Sequence, residues 1–372
     1  MNTFYKKYLL EATKYRGGEA RPESQANLIK LSSNENQFGP SPDALEAIRS
    51  SLNGLHEYPD NDDSRLRKAL VEHYQNKLEV DHFFCAPAGS EIIELICRAF
   101  LNAGEEIIIC NPSFIPFKVF SEKMGARVVQ VPLDGKTFQF NISLILKSIT
   151  PQTRLVFLAS PNNPTGNIIC RSDLEALLAN LPQHVILVYD EVYHHYVEAS
   201  AYSTAIDFVN RNQNILAVNS FSKVFGLAGL RLGYGYGPPK LVSYIRCLLK
   251  PFLNSTLAIS GGIAALNDEP FLLKSIRNNT TQKRLFYKFF TEIGLKYWPS
   301  EANFILVKPE IPVKAFCRYL LAQGIMVRPV QIHDEPYVRI TIGVPAQNQK
   351  LFQALRTIHE NQSLIYQGIS LN

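Results

Sequence analysis

The chain has 372 residues, 46% hydrophobic and 19% charged, and a net charge of +5 spread over 38 basic and 33 acidic side chains. That length demands a large core, in two domains or in one with an appendage, and the sequence holds no basic run of the kind that tracks a nucleic-acid backbone. Six scattered cysteines without a CxxC pair argue against a disulfide framework or a zinc ribbon, and no stretch reads as a signal peptide or membrane span, so a reducing, cytoplasmic setting is expected.

The first 35 residues are polar, carry Gly17-Gly18 and lead into the turn Phe38-Gly39-Pro40-Ser41-Pro42. They predict an N-terminal arm, residues 1–35, that joins a small domain. Residues 36–250 predict the large domain. Apolar, β-branched runs recur there at 107–110, 128–131, 155–159, 185–189, 215–218 and 232–236, with helical patterns such as 91–100 and 173–181 between them. Strands that are apolar throughout are expected where both faces of a sheet are covered, so the pattern predicts an α/β fold with a mostly parallel sheet flanked by helices. After about Lys250 the texture changes to long helical stretches, short strands at 304–307 and 338–342 and a last helix at 346–359, which predicts a smaller α+β domain over 251–372.

In open α/β sheets ligands gather beyond the carboxyl ends of the strands. The run at 155–159 is followed by SPNNPTG, that at 185–189 by DEVY and that at 215–218 by NSFSK. Three successive strand ends thus present Asn163, Asp190 and Lys223, with Tyr193 close behind. Each alone has a plain explanation: turn chemistry for NNPTG, a helix cap for the aspartate, a solvated surface residue for the lysine. Together they supply what pyridoxal 5'-phosphate needs: an amine for its aldehyde, a carboxylate for its pyridine nitrogen and donors for its phenolic oxygen. Its phosphate needs a helix start, hydroxyls and an arginine. Gly89 and Ser90 open an amphipathic helix, and Ser220, Ser222 and Arg231 complete that set. The adjacent His194 and His195 lack a second ligand pair, so no metal is expected.

NPSF, SPNNPTG, YDEVY and SFSKVFGLAGLRLGYG, in this order and over nearly the whole chain, resemble the fold-type-I pyridoxal-phosphate aminotransferases of class I and II. Within that family KLSSNENQFGPSP, YPD, EANFILVK and YVRITIGVP look most like the histidinol-phosphate aminotransferases. The resemblance implies that Phe114 stacks on the pyridine ring, Asp190 pairs with its nitrogen and Lys223 bonds to the cofactor. It places Asn163 and Tyr193 at the phenolic oxygen, and Gly89, Ser90, Ser220, Ser222 and Arg231 at the phosphate. It also implies a homodimer in which Tyr58 reaches the partner's phosphate site.

Alternation in VRITIG puts Arg339 and Thr341 on one face, with Val338, Ile340 and Ile342 toward the core. The resemblance makes Arg339 a clamp for the substrate's anionic group, Arg328 in GIMVRPV is the second candidate clamp, and Asn36 and Tyr15 are candidates for lining the substrate side. The implied reaction passes an amino group from L-histidinol phosphate to 2-oxoglutarate, giving glutamate. An aromatic amino acid as donor, or decarboxylation of a phosphorylated amino acid such as threonine phosphate, stays open at this point. Two departures from the family bear on it. The phosphate loop reads Gly89-Ser90-Glu91 where Gly-Ser-Asp-Glu is common, which leaves its register open by one residue, and the segment 329–338 lacks a glycine pair. A nicotinamide dehydrogenase is excluded, since no Gly-x-Gly-x-x-Gly follows a first strand.

Overall fold

The structure, a computed structural model, describes residues 4, 6–14, 17, 27–211 and 214–361. Its strands are β1 (Ile29–Lys30), β2 (Phe83–Ala86), β3 (Glu106–Asn111), β4 (Arg127–Pro132), β5 (Thr153–Ala159), β6 (Ile186–Asp190), β7 (Ile215–Ser220), β8 (Gly233–Tyr236), β9 (Lys296–Trp298), β10 (Phe304–Lys308), β11 (Ile325–Met326), β12 (Arg328–Ile332) and β13 (Glu335–Thr341). Its helices are α1 (Pro42–Ser51), α2 (Ser64–His73), α3 (Ala88–Phe100), α4 (Pro116–Glu122), α5 (Ile142–Lys147), α6 (Arg171–Asn180), α7 (Pro239–Arg246), α8 (Thr256–Asn267), α9 (Glu269–Glu292), α10 (Val313–Ala322) and α11 (Pro345–Glu360).

A seven-stranded sheet in the order β2-β8-β7-β6-β5-β3-β4 forms the larger part. The pairs among β3 to β7 are parallel, whereas β8 runs antiparallel to both β7 and β2. The six apolar runs of the sequence are β3 to β8, and β2 is an additional edge strand. A parallel return from β7 would need a helical crossover. Residues 221–232 hold only the one-turn helix Ala228–Leu230, so the chain comes back antiparallel and leaves those residues at the strand end. Helices cover both faces. Val156, Leu158, Leu187 and Tyr189 enter a core on one side, while Leu155, Phe157, Val188 and Val218 meet Ile92, Ile93 and Ile96 of α3 on the other. Both faces being filled is what makes these strands apolar without alternation.

A second sheet, antiparallel in the order β12-β13-β10-β9, packs its own core of Leu31, Phe286, Phe290, Ile305, Val307, Val338, Ile340 and Leu355. Ile29 and Lys30 pair with Ile325 and Met326, which ties the start of the chain to this smaller unit. The amide of Thr13 instead donates to Glu122 at the end of α4, 2.9 Å away. α8 packs against α1 and α2, and Ala258, Ala265 and Leu266 enter the first core.

Candidate active site

Ala159, Asp190 and Val218 are neighbours across β5, β6 and β7, so three strands end on one line. Beyond that line the chain delivers Asn163, Tyr193 and Lys223. Asp190 is 4% exposed, and Oδ1 accepts from the Val192 amide at 3.2 Å. Burial pushes its carboxyl up to about 7, against the pull of that amide and of the Lys223 charge. A buried carboxylate so poorly compensated calls for a cation opposite it. Lys223 Nζ lies 3.3 Å from the Ser33 carbonyl and 5.4 Å from the centre of the Tyr193 ring. The Tyr193 hydroxyl accepts from Asn34 Nδ2 at 2.9 Å.

The helix start and the end of β7 converge. A Cβ on Gly89 would meet Ser220 Cβ and the Asn219 carbonyl at 3.4 Å. Ser220 Oγ donates to Ser222 Oγ at 3.0 Å and accepts from the Ser222 amide at 3.1 Å. Ser90 stands in the first turn of α3, whose N-cap Pro87 offers no side-chain cap, so the first amides of the helix keep free donors at the positive end of its dipole, with Gly89 beside Ser220. Arg231 is exposed, takes the left-handed conformation at φ 52° and donates through Nη1 to Ala228 O at 2.8 Å. Phe114 is half-buried, edge-on to Phe117 at 5.6 Å, and Phe117 stacks on Phe157 of β5.

The face of β13 that carries Arg339 and Thr341, opposite the core-facing Val338, Ile340 and Ile342, is itself covered. Thr341 is fully buried, and Arg339 reaches across to Asn163 Oδ1 (2.6 Å) and the Ser32 carbonyl (2.7 Å), with its guanidinium over the Phe304 ring. The Asn163 oxygen is thereby used, which leaves its amide hydrogens for other acceptors. Arg328 and Arg339 are direct partners across β12 and β13, so both side chains leave the same face of the sheet. Among the described residues the Arg328 side chain has no hydrogen bond or ion pair.

The other expected residues take varied positions. Asn36 commits its amide to Val224 O (2.8 Å) and Ser275 Oγ (2.9 Å), so it secures the segment that carries it. Tyr58 is 83% exposed and stacks on Phe252 at 4.8 Å, and Tyr15 lies outside the described residues. His194 and His195 pack ring against ring at 3.7 Å, and burial pushes His194 down to about 4. No group of three or more His, Cys, Asp or Glu side chains among the described residues is placed to hold a metal.

Sequence reading passed over several residues that the fold brings here. Glu191 is fully buried; it accepts from the Tyr236 hydroxyl, the Ala205 amide (2.9 Å) and Asn219 Nδ2 (3.3 Å), and burial pushes it up to about 8. An acid directly after an aspartate that closes an apolar strand was the available signal. Asn162, also fully buried, holds Pro112 O, Ser113 Oγ and Thr165 Oγ1 and so braces the loop that carries Asn163.

A buried acid, an amine, a phenol, an amide and a helix start with two serines, gathered at the strand ends of a mixed α/β sheet, define an enzyme site suited to a phosphorylated aldehyde cofactor. Residues 26–355 match the family model for aminotransferase class I and II, and the chain belongs to that family of pyridoxal-phosphate-dependent transaminases. It is 36% identical to a histidinol-phosphate aminotransferase of Moorella thermoacetica over 89% of this chain and 86% of that one. It is 34% identical to the enzyme of that name from Akkermansia muciniphila over 96% of this chain and 99% of the other. Among solved structures, the histidinol-phosphate aminotransferase of Sinorhizobium meliloti in complex with pyridoxal-5'-phosphate shares the fold, with a TM-score of 0.87 at 23% identity over 97% and 99% of the two chains.

Proposed function

We propose that the chain is a histidinol-phosphate aminotransferase, moving the amino group of L-histidinol phosphate to 2-oxoglutarate by a ping-pong cycle. The observation that carries the substrate is the pairing of Arg328 with Arg339 across β12 and β13. Like charges directly opposite on a sheet are unfavourable. Two guanidiniums there make sense when a multiply charged anion, such as a phosphate monoester, lies between them and is gripped by planar donors.

Bound pyridoxal phosphate supplies the aldehyde that takes up the amino group and a ring that accepts the electron pair of the broken Cα–H bond. Lys223 Nζ would hold the cofactor at that aldehyde and would serve as the base and acid that moves the substrate Cα proton. Asp190 would pair with the pyridine nitrogen, whose positive charge would offset the burial that pushes its carboxyl up to about 7. Asn163 Nδ2 and the Tyr193 hydroxyl would donate to the phenolic oxygen. Gly89, Ser90, Ser220, Ser222 and Arg231 would hold the phosphate, and Phe114 would cover the ring.

The working unit in this reading is a homodimer, supported by Tyr58, Leu52 and Leu55, which stand exposed at 83%, 48% and 56% on one stretch of chain. Tyr58 would then complete the partner's phosphate site. Six free cysteines agree with a reducing, cytoplasmic compartment. The test is a comparison of kcat/KM for L-histidinol phosphate, L-histidinol and L-phenylalanine with 2-oxoglutarate as acceptor. The phosphorylated donor is expected to lead by at least about a hundredfold, as loss of a charge-assisted clamp implies; equal values for the first two would remove the phosphate from the argument.

A further inference from the structure

Three consecutive residues, Ser32, Ser33 and Asn34, each touch a different group of the site. The Ser32 carbonyl accepts from Arg339 (2.7 Å), the Ser33 carbonyl from Lys223 (3.3 Å), and Asn34 Nδ2 donates to the Tyr193 hydroxyl (2.9 Å). Asn34 is 1% exposed and left-handed at φ 57°, a conformation that asparagine and glycine tolerate best.

The direction of its amide follows from the bonds around it. The Asn34 backbone amide donates to Thr341 Oγ1 at 3.0 Å, which occupies an acceptor position on that hydroxyl, and the hydroxyl proton then goes to Asn34 Oδ1 at 3.1 Å. With Oδ1 accepting, Nδ2 is the end that meets Tyr193. Asn303 Nδ2 holds the Asn34 carbonyl at 3.1 Å and closes the network, every member of which is buried. A tyrosine hydroxyl carries one proton beside its lone pairs. Asn34 fills a lone pair, and among the described residues nothing accepts the proton.

We propose that Asn34 is a positioning residue that makes Tyr193 an obligate donor to the cofactor's phenolic oxygen, with Thr341 setting the direction of the chain of hydrogen bonds. This rests on the role given to Tyr193 above and deepens it. Thr341 ends β13 and Asn303 immediately precedes β10, two strands of the smaller sheet, while Tyr193 follows β6 of the larger one. The donor direction at Tyr193 is therefore set by how the smaller unit seats on the larger.

The test is a pH titration of the visible absorbance of the holoenzyme, whose cofactor is bonded to Lys223. Removing the donor makes the phenolic oxygen more basic and holds a proton on the neighbouring lysine nitrogen, so Tyr193→Phe is expected to raise the midpoint by about one pH unit, tenfold in proton affinity. Asn34→Asp keeps the shape of the side chain but, once ionised, only accepts, so the Tyr193 proton turns toward it. Its midpoint is expected to rise by a similar amount, and the double variant Asn34→Asp/Tyr193→Phe to titrate with Tyr193→Phe alone. Shifts that add in the double variant would mean that the introduced carboxylate acts through its charge, and an Asn34→Asp that titrates like wild type would mean that the amide directs nothing. Either overturns the proposal and leaves Tyr193 its role, whereas a Tyr193→Phe with an unmoved midpoint overturns both. Asn34→Gly suits the left-handed backbone and adds no charge, and it serves if Asn34→Asp fails to fold. It is expected to raise the midpoint by about half as much, and an unmoved midpoint there would also count against the proposal.

Discussion

Gly233 on β8 lies so close to the start of α3 that a Cβ placed on it would sit 2.5 Å from the Ala88 carbonyl carbon and 2.6 Å from the Gly89 nitrogen. The strand therefore seats the helix start beside Ser220 with backbone alone, and the neighbours that a side chain would meet are backbone atoms that cannot step aside. Gly233→Ala is expected to push α3 away, cost about 1–3 kcal/mol in stability and weaken cofactor binding at least about tenfold. Thermal melts with and without pyridoxal phosphate read both. Unchanged cofactor affinity would show that the helix start does not hold the phosphate.

Asp190 gives a pH signature. Its folded value, about 7, lies above the unfolded value of 3.8. The folded chain therefore prefers the protonated acid, and stability falls as pH rises from the unfolded value through the folded one, by on the order of 4 kcal/mol in total. In cofactor-free protein Asp190→Asn is expected to raise the melting temperature at pH 8 and to gain progressively less as pH is lowered toward 4. In the holoenzyme the same variant loses turnover. A gain independent of pH would place the carboxylate in a better compensated setting than its burial implies.

The histidines act in the opposite direction. Burial holds His194 at about 4 and His195 well below its ordinary 6.5, so folded-state stability is lost as pH falls below 6.5. Neither ring nitrogen of His195 has a hydrogen-bond partner among the described residues, and the ring packs against Phe225 at 5.2 Å. His195→Phe is therefore expected to flatten the fall in melting temperature between pH 6.5 and 4, which circular dichroism follows directly.

Arg328 and Arg339 separate by kinetics. Arg328→Ala is expected to raise KM for the phosphorylated donor by about ten- to a hundredfold, the value of one or two charge-assisted hydrogen bonds. Arg339→Lys keeps the charge but loses the fork that joins Asn163 to Ser32, so kcat and KM both suffer. A KM effect equal for phosphorylated and unphosphorylated donors would remove phosphate recognition from Arg328.

The strands that lead to the candidate site were legible because both their faces are buried, and the residues after them stood out as polar groups interrupting apolar runs. Asn163, Asp190, Tyr193 and Lys223 all emerged in this way. β2 was not legible: Phe83–Ala86 is four residues long and sits between a one-turn helix and α3 without turn chemistry of its own. The antiparallel course of β8 depends on how few residues remain for a crossover, which periodicity does not report. The change of texture near Lys250 does not coincide with the change of packing, because α8 is apolar on a face that meets α1 and α2 of the larger unit. The segment 32–34 was hidden for another reason. Two of its contacts use carbonyl oxygens, which any residue possesses, and Asn34 acts through Thr341, 307 positions away in sequence.

Half-transamination of L-histidinol phosphate at Lys223 is tested most directly by a single-turnover absorbance experiment without keto acid. The holoenzyme is expected to exchange its visible band for the shorter-wavelength band of the aminated cofactor on addition of this donor, and Lys223→Ala, folded by circular dichroism, is expected not to. A visible band that persists in the presence of L-histidinol phosphate, or one that converts equally in Lys223→Ala, would contradict the account.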